Sequence, residues 1–165
     1  VREWASETVF SAEAQRCWWI PALHNGPRGW QAHGGASHDT ATWTLEPELV
    51  AVKIGRELSM AVLREWNMVR FAGDVELVVS ELITNALRHG LARGDAHNVT
   101  QLSIMRRGGQ LVCAVRDGSD EFPTEREPDF LMETGRGLNL VRSFSRRWGA
   151  LAVPPHGKFV WALFE

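Results

Sequence analysis

Lysine is nearly missing from this chain: of its 18 basic residues only Lys53 and Lys158 are lysines. A GC-rich coding bias produces that pattern, so by itself it excludes nothing. Cysteine is scarce too. Cys17 and Cys113 are the only two, which rules out a disulfide framework. One falls in an N-terminal tail and the other in an expected buried strand, which argues against their pairing. No apolar run reaches the roughly eighteen residues of a membrane-spanning helix. The opening Val1-Arg-Glu-Trp-Ala-Ser-Glu7 has none of the charge and apolar order of a signal peptide. The expectation is a cytoplasmic protein with no membrane contact. Charge of one sign is absent as well: the net value is −2, so no global field recommends a nucleic acid. The pairs Arg106-Arg107 and Arg146-Arg147 read as solvated turn and helix-end residues. There is no Gly-x-x-x-x-Gly-Lys-Ser/Thr loop, which excludes the P-loop class. Arg116-Asp117-Gly118 looks superficially like a eukaryotic kinase catalytic loop, but the other signatures of that fold are missing.

With 165 residues, 44% hydrophobic and 23% charged, the chain holds one ordinary globular domain and a tail. It divides near residue 40. Residues 1–41 form an accessory segment. His24 to Thr40 carries Gly26, Gly29, Gly34, Gly35 and Pro27, a loop or linker composition. Trp4, Trp18, Trp19 and Trp30 are unusual for a purely solvating tail. A short helix over 11–20 would end before Pro21. This segment either lies on the main domain or docks on a partner or ligand groove. Cys17, His24, His33 and His38 match no familiar zinc spacing.

Residues 42–165 are regular. Ala41 to Leu45 alternates as a strand, and Glu46-Pro47 opens a helix. Its expected buried face is Val50, Ile54, Leu58, Ala61 and Val62. A second helix runs from about Asp74 to His89, with Gly90 as C-cap and Val75, Val78, Val79, Leu82 and Ala86 as its apolar stripe. Val99–Met105 and Gln110–Arg116 form a hairpin around Gly108-Gly109. An acidic stretch to Thr134 precedes a third helix, with Leu138, Val141 and Phe144 or Ser145 facing the core. Strands over 148–153 and 158–164 close the chain. The order β-α-α-β-β-loop-α-β-β lacks βαβ alternation. It predicts an α+β fold: a two-layer sandwich with a mixed, mostly antiparallel sheet covered on one face by about three helices. Trp43, Trp66, Trp148 and Trp161 read as core or sheet residues.

Chemistry concentrates in three segments. Glu81-Leu-Ile-Thr-Asn85 puts a carboxylate and a carboxamide on one helix stripe, one turn apart, beside the apolar one. Magnesium takes few protein ligands and completes its octahedron with phosphates, so one amide oxygen from Asn85 suffices. Glu81 is then placed to accept a hydroxyl proton or orient water. Asp117-Gly118 follows a strand, where a carboxylate accepts from the exocyclic amine of adenine, a donor that guanine lacks at that place. Gly135-Arg136-Gly137-Leu138 opens a helix whose bared amides attract phosphate oxygens. Each segment also has a plain reading: an exposed helix surface, a common turn dipeptide and an ordinary helix start.

Together, Glu81-x-x-x-Asn85-Ala-x-x-His89-Gly90, Asp117-Gly118 and Thr134-Gly-Arg-Gly-Leu-Asn-Leu-Val141 resemble, in order and spacing, the N-box and two glycine boxes of the histidine-kinase-like ATPase superfamily. That group includes gyrase and the histidine kinases, and the similarity covers residues 42–165. It implies the Bergerat ATP-binding fold, with ATP and Mg2+ as cofactors. Glu81 becomes the catalytic base, Asn85 the magnesium ligand, and Asp117 the adenine reader. His89, Gly118, Gly135, Arg136, Gly137 and Leu138 complete the ATP-binding set, and residues 119–133 form a lid. The ending Gly137-Leu-x-Leu-Val, Trp148-Gly149 and Gly157-x-x-Val160-Trp161 is similar to actinobacterial anti-sigma factors that are also serine protein kinases. The partners so implied are a sigma factor and an anti-anti-sigma protein. A homodimer is implied by the family similarity alone.

The sequence departs from that family in two places. Ser119 and Glu121 stand where the first box commonly has glycines, which implies a different backbone path beside adenine. Gly157-Lys158 replaces a frequent Gly-Thr. The lid is acidic: Asp120, Glu121, Glu125, Glu127, Asp129 and Glu133 would repel a triphosphate unless held away. Two readings therefore stand, with a free-standing ATP hydrolase behind them. One is an anti-sigma factor with serine/threonine kinase activity; the other is a partner-binding module of the same fold with weak or lost ATP use.

Overall fold

A computed structural model describes residues 17–25, 39–91, 100–123 and 136–165. The elements are α1 (Ile20–Asn25), β1 (Asp39–Leu45), α2 (Val50–Glu65), a 3-10 turn (Val69–Phe71), α3 (Ala72–Leu91), β2 (Thr100–Arg107), β3 (Gln110–Asp117), α4 (Arg136–Phe144), β4 (Arg147–Ala152) and β5 (Lys158–Phe164). Five strands form one sheet in the order β1-β2-β3-β5-β4. Every neighbouring pair is antiparallel, so no parallel pairing is mixed in. The α+β sandwich holds.

The pleat sorts the strand residues between two cores, because alternate side chains point to opposite faces. Leu102 and Ile104, then Leu111, Cys113 and Val115, then Val160, Ala162 and Phe164 join α2, α3 and α4 in the larger core. Met105, Val112, Ala114, Phe159, Trp161 and Leu163 face the other way and meet Cys17, Trp19 and Leu23. The sheet is thus covered on both sides. On the second face Trp19 is fully buried, with its ring 5.0 Å from that of Trp161. Trp18 Nε1 donates to Gln110 Oε1 over 2.8 Å. Cys17 and Cys113 are both free and sit on opposite faces of the sheet, so no disulfide joins them. Burial pushes the Cys113 thiol up, leaving it protonated and inert.

Helix α3 buries all five residues of its expected stripe, together with Ile83 and Leu87. Helix α2 is turned from expectation. Its buried residues are Ala51, Gly55, Ser59, Val62 and Leu63, while Val50 and Ile54 are exposed. Close approach explains the rotation: Gly55 lies directly against Ile83 of α3. A stripe of small residues lets two helices meet at a distance that branched side chains forbid. Ser59 Oγ donates to the Gly55 carbonyl over 2.7 Å, which satisfies the hydroxyl within the interface. Gly90 lies inside the last turn of α3 and does not cap it, since the helix runs on to Leu91. Such end shifts of one or two residues are usual. In α4, Val141 is buried and Leu138 half-buried, but Phe144 is exposed.

Candidate functional site

Glu81 and Asn85 lie on α3 one turn apart, both half-buried. Among the described residues neither side chain makes a hydrogen bond or ion pair. Gly137, in the first turn of α4, faces them: a Cβ there would sit 2.5 Å from Glu81 Oε2 and 3.4 Å from Asn85 Nδ2. Glycine at 137 is therefore a requirement of close approach between a helix start and the acid–amide pair. A carboxylate and an amide held at a helix edge without partners among the described residues are costly to half-bury. A polar ligand would satisfy them.

His89 is exposed, one further turn along α3, and Leu138 is half-buried next to Gly137. Arg136 is the first residue of α4; its side chain, Gly135 and the segment 124–135 lie outside the described residues. So do the histidines at 33 and 38 and the side chain at 24. Among the described residues no three His, Cys, Asp or Glu side chains gather as a metal cluster. An octahedral ion that keeps its waters and takes one amide oxygen needs no such cluster. Asn85, without a hydrogen-bond partner among the described residues, fits that role.

Asp117 ends β3 on the helix-bearing face, in line with Leu111, Cys113 and Val115. It lies at the end of the central strand, level with the start of β2, as the pairing of Gln101 with Arg116 shows. Directly across the ladder stands Lys158, the first residue of β5. The two form a buried ion pair, Nζ to Oδ1 at 2.8 Å, with side chains 2% and 3% exposed for lysine and aspartate. Ser119 N–H also donates to Oδ1 over 2.8 Å, and Nζ donates to the Ser119 carbonyl at 3.3 Å. A carboxylate out of water needs such compensation.

The chain after Asp117 is pinned as well. Glu121 N–H donates to Ser119 Oγ. Asp120 accepts from Gly157 N–H over 2.8 Å and lies 3.1 Å from His156 Nδ1. Gly157 has φ +100°, and a Cβ there would fall 2.5 Å from the Asp117 carbonyl oxygen. Where glycines were expected, Ser119, Asp120 and Glu121 thus build a hydrogen-bonded turn tied to the β4–β5 connection. Two acidic residues assigned to a repelling lid, Asp120 and Glu121, belong to this turn.

Lys158 is the residue that sequence reasoning undervalued. It was a departure from a family pattern, whereas its position in the strand carried the signal. It occupies the core-facing phase of an otherwise apolar strand, opposite the one aspartate in phase with the core of β3. An open groove of about 290 Å³ lies elsewhere, among Lys53, Arg56, Glu57, Met60, Arg64 and Glu76 on α2 and α3. It contains none of the expected site residues.

A family model described as the histidine kinase-like ATPase domain matches residues 43–162. No curated protein matches this sequence. Among the described residues no helix is long and apolar enough to cross a membrane.

Proposed function

The chain belongs to the histidine kinase-like ATPase domain family, which implies ATP binding, and from that premise we propose that it is an anti-sigma regulatory factor that phosphorylates a serine or threonine of an anti-anti-sigma partner. The observation that carries this reading is the Glu81–Asn85 pair, half-buried, unpaired among the described residues and pressed against Gly137. Hydrolysis and transfer both need a group that takes a proton from the attacking oxygen, and Glu81 supplies it. The hydroxyl oxygen of the partner forms a bond to the γ-phosphorus, the bond to the β–γ bridging oxygen breaks, and ADP leaves. The hydroxyl proton passes to the Glu81 carboxylate. A magnesium ion, when bound, would neutralise phosphate charge, with Asn85 as its protein ligand. Backbone amides of Gly135 to Leu138 would hold phosphate oxygens, and Asp117 would accept from the adenine amine.

A second reading rests on a specific observation. Asp117 already holds an internal cation, which suits a partner-binding module that has given up nucleotide. Thermal-shift titration with magnesium and ATP separates the two. A ligand that binds only the folded state stabilises it by about 2.7 kcal/mol at a hundredfold excess over Kd. The kinase reading expects that shift for the wild type and its loss in Asn85→Ala. It also expects labelled phosphate on a candidate anti-anti-sigma protein, abolished in Glu81→Ala while ATP still binds. No shift for the wild type would select the binding module. A shift with release of free phosphate and no labelled partner would select a hydrolase.

A further inference from the structure

The chain has two lysines, and one of them is spent inside the protein against the expected base-reading carboxylate. We propose that Lys158 is a positioning residue for purine recognition, holding the Asp117 carboxylate aimed so that one oxygen is left for the base. Every hydrogen bond to Asp117 in the described structure falls on Oδ1: the Lys158 ammonium at 2.8 Å and the Ser119 N–H at 2.8 Å. Oδ2 receives none, and it is not among the fully buried polar atoms that lack a partner. Two donors on one oxygen fix the rotation of the carboxylate. The second oxygen is the acceptor that remains.

The lysine is itself held. Nζ donates also to the Ser119 carbonyl at 3.3 Å, its stem lies at the start of β5 opposite Asp117, and it is 2% exposed. Gly157, directly before it, admits the Asp117 carbonyl where any Cβ would collide. Ser119 closes the arrangement, so the turn after β3 and the start of β5 form one clamp around a single oxygen. An aspartate without this cation, buried at 3% exposure, would lose the donor that fixes its rotation and be free to swing away. That movement removes the aimed acceptor that an exocyclic amine needs.

This assignment rests on the ATP-binding reading, and the experiment separates the failure of each. Magnesium complexes of ATP and of purine riboside triphosphate, which lacks only the 6-amino group, are titrated calorimetrically into wild type and Lys158→Met. The wild type should prefer ATP by roughly ten- to a hundredfold, the range of a hydrogen bond to a charged group. In Lys158→Met the preference should shrink to about twofold or less, while affinity for the analogue stays near its wild-type value. A merely structural role would weaken both ligands together. Lys158→Gln, whose amide can still donate to Oδ1 without charge, serves if the methionine variant does not fold, and should show an intermediate preference. An unchanged preference in a folded variant overturns the assignment. So does tighter ATP binding, which would make Lys158 a plug. A wild type that binds both triphosphates equally overturns the assignment and leaves ATP binding intact; one that binds neither removes both.

Discussion

Two clusters of the expected site residues, one on α3 and one where β3 meets β5, solve opposite problems. At the α3 end, Glu81 and Asn85 are half-buried with no hydrogen-bond partner among the described residues, and Gly137 stands against them. At the β3–β5 end, Asp117, Lys158 and Ser119 are buried and bonded to one another. Groups that are satisfied by their own protein contribute to holding the fold. Groups left unsatisfied cost stability and persist where a ligand completes them. The difference teaches where recognition and where reaction would lie under the proposed function: the closed end would present one rigid acceptor, and the open end would offer its groups to a triphosphate and a hydroxyl.

The largest way to break this contrast is Lys158→Met. It leaves a buried carboxylate uncompensated, and urea denaturation should show a loss of about 3–5 kcal/mol. The double variant Asp117→Asn/Lys158→Met carries no buried charge and should recover most of that loss. If the single variant were as stable as wild type, the closed end would not be structural. Next comes Gly157→Ala. A side chain at φ +100° is strained, and its Cβ would meet backbone, not a yielding side-chain tip. The expected cost is about 1–3 kcal/mol, read from the same denaturation curves. At the open end Gly137→Ala should behave differently. The new methyl would meet the movable ends of Glu81 and Asn85, so stability should change by no more than about 1 kcal/mol, with helix propensity favouring alanine. Phosphotransfer should nonetheless fall about tenfold or more, because the base is displaced.

Most of the domain could be read from periodicity. The stripe of α3, the β2–β3 hairpin and the order of elements follow from spacing and turn chemistry, and Glu81 with Asn85 from two side chains one turn apart. The rotation of α2 could not be read that way. Hydrophobicity favours Val50 and Ile54, whereas the interface with Ile83 demands Ala51 and Gly55, and that demand exists only once two helices are placed together. The second core was legible but unread. Leu111 to Val115 and Phe159 to Phe164 are apolar at every position, the pattern of strands buried on both faces, and Trp19 supplies the cover. Lys158 shows the limit of family comparison: judged as a missing threonine it suggests lost function, but its phase in the strand points to the carboxylate opposite.

The smallest expected effect is the one that tests the open end most directly. Asn85 makes no hydrogen bond among the described residues, so Asn85→Ala breaks none of theirs. Helix propensity favours the alanine, and loss of half-buried side-chain area opposes it. Stability without ligand should therefore stay within about 0.5 kcal/mol of wild type. The same substitution should abolish the stabilisation that magnesium and ATP confer. A residue whose removal leaves the empty protein unchanged, but costs the loaded protein its added stability, has its partner in the ligand. A loss above about 1 kcal/mol in the empty protein would instead mean that Asn85 holds the two helices together, and the contrast between the two ends would dissolve.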